Sequence, residues 1–195
     1  VFCQWYHNDG IYHGGKNEVV DPELMDEKFE REIKFLKIMR DEYPQHVPSY
    51  RLDYEWKKIY LEIDGIDFWN KADCKIENYD KVLPDWQEQM LEILHAHKEL
   101  GLHKYSMHPS SYFIVDGKLK SMNYFFTYYN SEPNVSIQEV ESHLSVNRRE
   151  KMKQHLETLN IQWNTPQTWE TMDKLCWNSF RANYPQEFIE NALNV

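Results

Sequence analysis

Four histidines, His95, His97, His103 and His108, fall within fourteen consecutive positions. That density raises two chemistries, metal ligation and proton transfer near neutral pH. The spacing argues against a metal, because His95 and His97 point to different faces of a helix and no His-x-x-x-His pair accompanies them. Most of these rings therefore read as structural or solvated. His108 stands apart, since it precedes Pro109 in the polar run Ser106-Met107-His108-Pro109-Ser110-Ser111. An imidazole there can act as a general base or order the loop through a hydrogen bond, and the second role asks less of it. The basic run Arg148, Arg149, Lys151 and Lys153 offers a phosphate or partner patch. Glu150 and Glu157 interleave with it, however, as they do on a solvated helix face.

These residues need elements to hold them. The first twenty residues alternate β-prone pieces with Asn8-Asp9-Gly10 and Gly14-Gly15 breaks, which predicts a small strand region. From Asp21 the period changes, with Met25, Phe29, Ile33 and Leu36 at helical spacing behind an Asp21-Pro22-Glu23 start. This predicts an amphipathic helix to about Arg40, ended by Pro44 and Pro48. A hairpin is expected over residues 49–65, turning near Glu55 to Lys58. The polar run 70–81 reads as a connector and as the boundary between two lobes. Trp86, Met90, Ile93, Leu94, His97 and Leu100 share one helical face, and Gly101 sits at a left-handed C-cap. Asp116-Gly117 between Tyr112-Phe113-Ile114-Val115 and Lys118-Leu119-Lys120-Ser121-Met122 is a strong hairpin signal. Further helices are announced by the Ser136-x-x-Glu139 capping box and by Thr165-Pro166, with another over residues 185–193. Trp163, Trp169, Trp177, Phe180 and Tyr184 read as core.

The bulk properties narrow the function classes. A chain of 195 residues can bury a sizeable core. Its 32 acidic against 22 basic residues give a formal charge of −10, which repels phosphate backbones and anionic bilayers. Nucleic acid and membrane partners are not expected. Cys3, Cys74 and Cys176 are odd in number and far apart, so neither a disulfide framework nor a thiolate metal site is suggested, and a reducing cytoplasm fits. No apolar run reaches the roughly 18 residues of a membrane span and no basic-then-apolar leader opens the sequence, so the chain reads as soluble and untargeted.

Taken in order, these elements resemble the protein-kinase-like fold. The likeness is carried by KFEREIKFLKIM (28–39), KKIYLEIDGIDF (57–68) and LGLHKYSMHPSSYFIVDGKLKSMNYFF (100–126), and as a pattern it spans about residues 22 to 126. It implies an α+β, two-lobed fold, with a small truncated strand lobe over 1–66 and a mainly helical C-terminal lobe over 67–195. It also implies a catalytic loop and a metal-binding turn. Set against the family's His-Arg-Asp-x-Lys-Pro-x-Asn loop at Pro109, Ser106 stands where the catalytic Asp belongs and Ser111 at the metal-binding Asn. Asn123 takes the place of the Asp of the Asp-Phe-Gly turn. Phosphoryl transfer needs a carboxylate to orient the attacking hydroxyl and anionic oxygens to hold magnesium. Serine and a neutral amide are weak substitutes. The stretch DGIYHGGK (9–16) is a candidate remnant of the phosphate-binding loop, with Lys16 for the nucleotide-binding lysine and Glu32 for its helical partner. The simpler readings are a hairpin turn for the first and a surface ion pair between Lys28 and Glu32 for the second.

The resemblance implies a kinase-like protein stripped of its usual carboxylates, a pseudokinase-like binding or scaffolding module for a protein or small-molecule partner. ATP and magnesium are its conceivable cofactors, and no metal site is assigned. The alternative is an active ATP-dependent phosphotransferase on a small molecule or sugar, with His108 or Asp116 supplying the chemistry. A structural or host-interaction protein with no ligand, suited to a small viral genome, is the third reading.

Overall fold

The computed structural model describes residues 2–5, 11–12, 18–19, 22–130, 153–160 and 180–195, with side chains from residue 26 onward. The architecture is mixed α/β with small antiparallel sheets. Strand β5 (Lys58–Leu61) lies between β1 (Phe2–Trp5) and β4 (Tyr50–Asp53), antiparallel to both, and β2 (Ile11–Tyr12) pairs with β3 (Glu18–Val19). The turn joining β4 to β5 is closed by the Asp53 carboxylate, which accepts from the Trp56 N–H at 3.0 Å.

Helix α1 (Pro22–Glu42) buries Phe29, Ile33, Phe35, Leu36 and Met39 against β5. Its core does not stop at the small sheet. Ala96, Leu102, Phe113, Met122 and Tyr124 belong to the same cluster, so α1 is packed on both sides of the expected boundary at 66/67. The polar connector expected over 70–81 is a packed segment instead. Short helices α2 (Phe68–Lys71) and α3 (Tyr79–Val82) bury Phe68, Ala72 and Tyr79, and Leu83 and Trp86 follow. The reason is spacing: Tyr79, Leu83 and Trp86 recur at four and three residues, an apolar stripe that the surrounding charges hide from a composition reading.

Helix α4 (Trp86–Glu99) buries Trp86, Met90, Ile93 and His97, and Gly101 closes it with φ +67°. Strands β7 (Tyr112–Val115) and β8 (Lys118–Ser121) form the expected hairpin, with Asp116 and Gly117 both at positive φ, as a type I′ turn requires. The Gln89 side chain clamps this hairpin to α4, donating to the Gly117 carbonyl at 3.1 Å and accepting from the Leu119 N–H at 2.7 Å. Strand β6 (Leu102–Lys104) pairs with β9 (Thr127–Tyr129), a contact no local pattern announces. Residues 153–158 and 180–183 are helical, and α5 (Gln186–Leu193) buries Phe188 and Ile189 against α4. Phe180 and Tyr184 are buried beside Trp86 and Phe188, as core. Lys16, the Ser136 and Thr165 caps, Trp163, Trp169, Trp177, Arg148, Arg149 and Lys151 lie outside the described residues. No described helix is long and apolar enough to cross a membrane.

Candidate functional site

The loop between β6 and β7 is built around its own backbone. The Ser111 N–H donates to the His108 carbonyl at 2.9 Å and the Met122 N–H to the Ser111 carbonyl at 2.8 Å, which brings the loop against the segment after β8. The Tyr184 hydroxyl donates to the Met107 carbonyl at 2.7 Å and ties the loop to the C-terminal residues. His108 has the loop-ordering role. Its Nδ1 accepts from the Ser110 N–H at 3.1 Å and lies 2.8 Å from the Ser110 hydroxyl, while the Trp69 ring meets it edge-on at 5.3 Å. A nitrogen occupied in this way is a poor general base.

Ser111 and Asn123, twelve positions apart in sequence, meet directly. The Asn123 side-chain amide donates to the Ser111 hydroxyl at 3.0 Å. Asn123 holds φ +62° and ψ +58°, a left-handed conformation that Asn tolerates, and opens the 3₁₀ turn Tyr124–Phe126. Ser106 is linked to the interior through its backbone carbonyl, which accepts from the Lys104 ammonium. Asp116 is exposed at the tip of the β7–β8 turn, in a backbone role.

Glu32 is where the structure departs most from the sequence reading. A surface ion pair with Lys28 is excluded: Glu32 is 0% exposed and Lys28 2%, and the Lys28 ammonium stacks over the Phe125 ring at 4.9 Å. The reason is visible on the helix, since position 32 falls between Phe29, Ile33 and Leu36 on the apolar stripe. The Glu32 carboxylate faces the backbone amides of Tyr124, Phe125 and Asn123 and the charge of Lys104. It thus sits at the N-terminal end of the 3₁₀ turn, where backbone N–H groups favour a negative group. Neither Glu32 carboxylate oxygen has a hydrogen-bond partner of full geometry. Burial, only partly offset by the amides and Lys104, pushes its pKa up to about 7.

Lys104 is the residue the sequence reading missed. Burial lowers its ammonium to about 7 against the opposing pull of Glu32, and it lies 5.2 Å from the Tyr112 ring centre and 5.3 Å from that of Tyr124. Leu102 and Lys104 share one face of a strand and both are buried, but three residues are too short an alternation to read from sequence. His97 completes the cluster. Its Nε2 lies 2.9 Å from the Tyr124 hydroxyl, and burial lowers its pKa to about 3, so the ring is neutral. His95, two residues away, is exposed, as the helical spacing implied.

Ser106, Ser111, His108 and Asn123 are therefore gathered along one loop and one turn, with Glu32 behind the turn. The Ser111 and Asn123 side chains that meet are both neutral. Among the described residues no three His, Cys, Asp or Glu side chains converge as metal ligands. No protein-family model, curated protein or solved structure matches this chain.

Proposed function

We propose that this chain is a two-lobed, kinase-like protein in which the phosphotransfer site survives as a structural frame, and that it acts as a non-catalytic binding or scaffolding module. The observation carrying this reading is the Asn123 to Ser111 hydrogen bond. The resemblance assigns these two positions to the magnesium ligands, and they do stand side by side, far apart in sequence but adjacent in space. Their chemistry suits a different purpose. An amide N–H donated to a hydroxyl satisfies both groups without a cation, and neutral oxygens are poor ligands for a hard divalent ion.

The rest of the site supports the same reading. His108 orders its loop, Ser106 is anchored through its carbonyl, and Asp116 is committed to a turn. The buried charges of Glu32 and Lys104 hold the turn from behind. A phosphoryl-transfer assay with γ-labelled ATP and Mg²⁺ tests the proposal, using both a generic protein acceptor and a panel of sugars and small alcohols. The expected result is no transfer above the rate without the protein. Transfer that disappears in Ser106→Ala or Asn123→Ala would overturn the reading and establish the phosphotransferase alternative.

A further inference from the structure

A cavity of about 290 Å³ opens between α4, β6 and α5, with Leu94, Leu102, Met107 and Ala192 among its walls. Neither Ser111 nor Asn123 lines it, so it is separate from the site described above. The volume stands at the lower end of small-molecule sites, about 300–1,000 Å³. Lys104 belongs both to the cavity wall and to the buried cluster behind the 123–126 turn. Its ammonium donates to the Ser106 carbonyl, and the two residues flanking that acceptor, Tyr105 and Met107, line the cavity as well. The amine end of the side chain therefore stands at the edge of the cavity. Its chemistry depends on the protons it carries. Facing it are Glu32 from α1, His97 from α4, Tyr112 from β7 and Tyr124 from the 3₁₀ turn, with Lys98 and His103 elsewhere on the cavity wall. Glu32 favours the ammonium, burial opposes it more strongly, and the free amine is populated near neutral pH. A neutral amine keeps an N–H for the Ser106 carbonyl and gains the lone pair that a nucleophile needs.

We propose that Lys104 forms a Schiff base with a small, apolar aldehyde that enters this cavity. The Nζ, having lost one proton to solvent, attacks the carbonyl carbon. Its two remaining hydrogens leave with the carbonyl oxygen as water, and a C=N bond replaces C=O. No oxidant or reductant takes part. The apolar walls favour an uncharged aldehyde with a hydrocarbon body over a polyhydroxylated one.

The test incubates the full chain with benzaldehyde and sodium cyanoborohydride, which reduces the imine to a stable secondary amine, and maps the modified lysines by peptide mass spectrometry. At about pH 7, Lys104 is expected to be labelled about tenfold or more faster than surface lysines, because an ordinary lysine, with a pKa of about 10.4, is almost wholly protonated there. That excess is expected to shrink by about tenfold or more as pH rises from about 7 to about 9, where Lys104 is already an amine and ordinary lysines are still losing their protons. With glyceraldehyde in place of benzaldehyde, the preference for Lys104 is expected to fall by about tenfold. Ala192→Trp, which places a large ring in the cavity, is expected to slow labelling of Lys104 by about tenfold and leave the surface lysines unchanged. Lys104 labelled no faster than surface lysines, an excess that does not change with pH, an equal preference with glyceraldehyde, or a preference that survives in folded Ala192→Trp would each overturn the proposal. The first three readouts use the wild-type chain, so the proposal stays decidable if Ala192→Trp fails to fold.

Discussion

Two groups of polar residues meet at the 123–126 turn and are built in opposite ways. Behind the turn, Glu32, Lys104, His97 and Tyr124 are fully buried and carry perturbed ionisations. In front of it, Ser106, Ser111 and Asn123 are neutral; Ser111 and Asn123 bond each other, and Ser106 is held through its backbone carbonyl. Buried charge is costly to maintain and is retained where it fixes a geometry or performs chemistry. In this molecule it lies on the side that positions the turn. The positions that the kinase resemblance gives to the catalytic loop and the metal-binding turn, Ser106, Ser111 and Asn123, hold none, whereas Glu32, which it gives to nucleotide binding, is one of the buried charges.

The difference can be broken most forcefully from behind. Lys104→Met removes the ammonium that donates to the Ser106 carbonyl and the positive charge that acts on Glu32, and it is expected to cost about 1.5–3 kcal/mol by chemical denaturation, as losing a hydrogen bond to a charged group does. The double variant Glu32→Leu with Lys104→Met is expected to recover much of that loss. If Lys104→Met proves as stable as the wild type, the buried cluster does not hold the turn.

His97→Phe comes next. It leaves the Tyr124 hydroxyl buried without its partner, and a loss of about 1–3 kcal/mol is expected. A neutral result would show that water replaces the imidazole.

The ionisations give the comparison a pH signature. A raised carboxyl pKa contributes stability that is present below the unfolded value and lost as pH rises through the folded one. The wild-type stability minus that of Glu32→Gln should therefore fall between pH 4.5 and about 7. Wild-type data alone blur this, because His97, lowered from 6.5 to about 3, loses its contribution as pH falls over much of the same range. The depressed Lys104 adds a limb of opposite slope, with stability gained from about pH 7 up to 10.5. Denaturation midpoints across pH for the wild type and Glu32→Gln check the first limb, and a flat difference would place the carboxylate in contact with water.

The smallest effects are expected in front. Ser111→Ala should cost about 1 kcal/mol for the lost bond with Asn123, and Ser106→Ala about 0.5 kcal/mol or less, since only its backbone carbonyl is used. Larger losses would mean that these serines carry structural weight and would erase the contrast.

Much of this arrangement is written locally in the chain. The α1 stripe, the α4 face with its Gly101 stop and the Asp116-Gly117 turn are short-range patterns, and each element forms where its residues require it. The kinase resemblance assigns Ser111 and Asn123 to metal-binding positions, and no local pattern announces the bond between them. The β6–β9 pairing and the packing of α1 over the turn depend on long-range contacts that no window of residues contains. Glu32 was misjudged because its (i, i+4) neighbour Lys28 offered a plausible surface partner, although position 32 lies on the apolar stripe. Lys104 was overlooked because one lysine in a three-residue strand gives too short an alternation to read. The 70–81 segment reads as a linker because its charges outnumber its apolar residues, Ala72, Ile76 and Tyr79 among them.

We propose that the Ser111–Asn123 pair stands at the positions the kinase resemblance gives to magnesium ligands and binds no metal. The most direct measurement is the melting temperature at millimolar ATP with Mg²⁺ or Mn²⁺, compared with ATP plus a chelator. A ligand at about 100 times its Kd should add about 2.7 kcal/mol of stability, several degrees for a chain of this size. The expected result is that the divalent ion adds nothing. An ion-dependent rise with ATP that Asn123→Ala abolishes would contradict it.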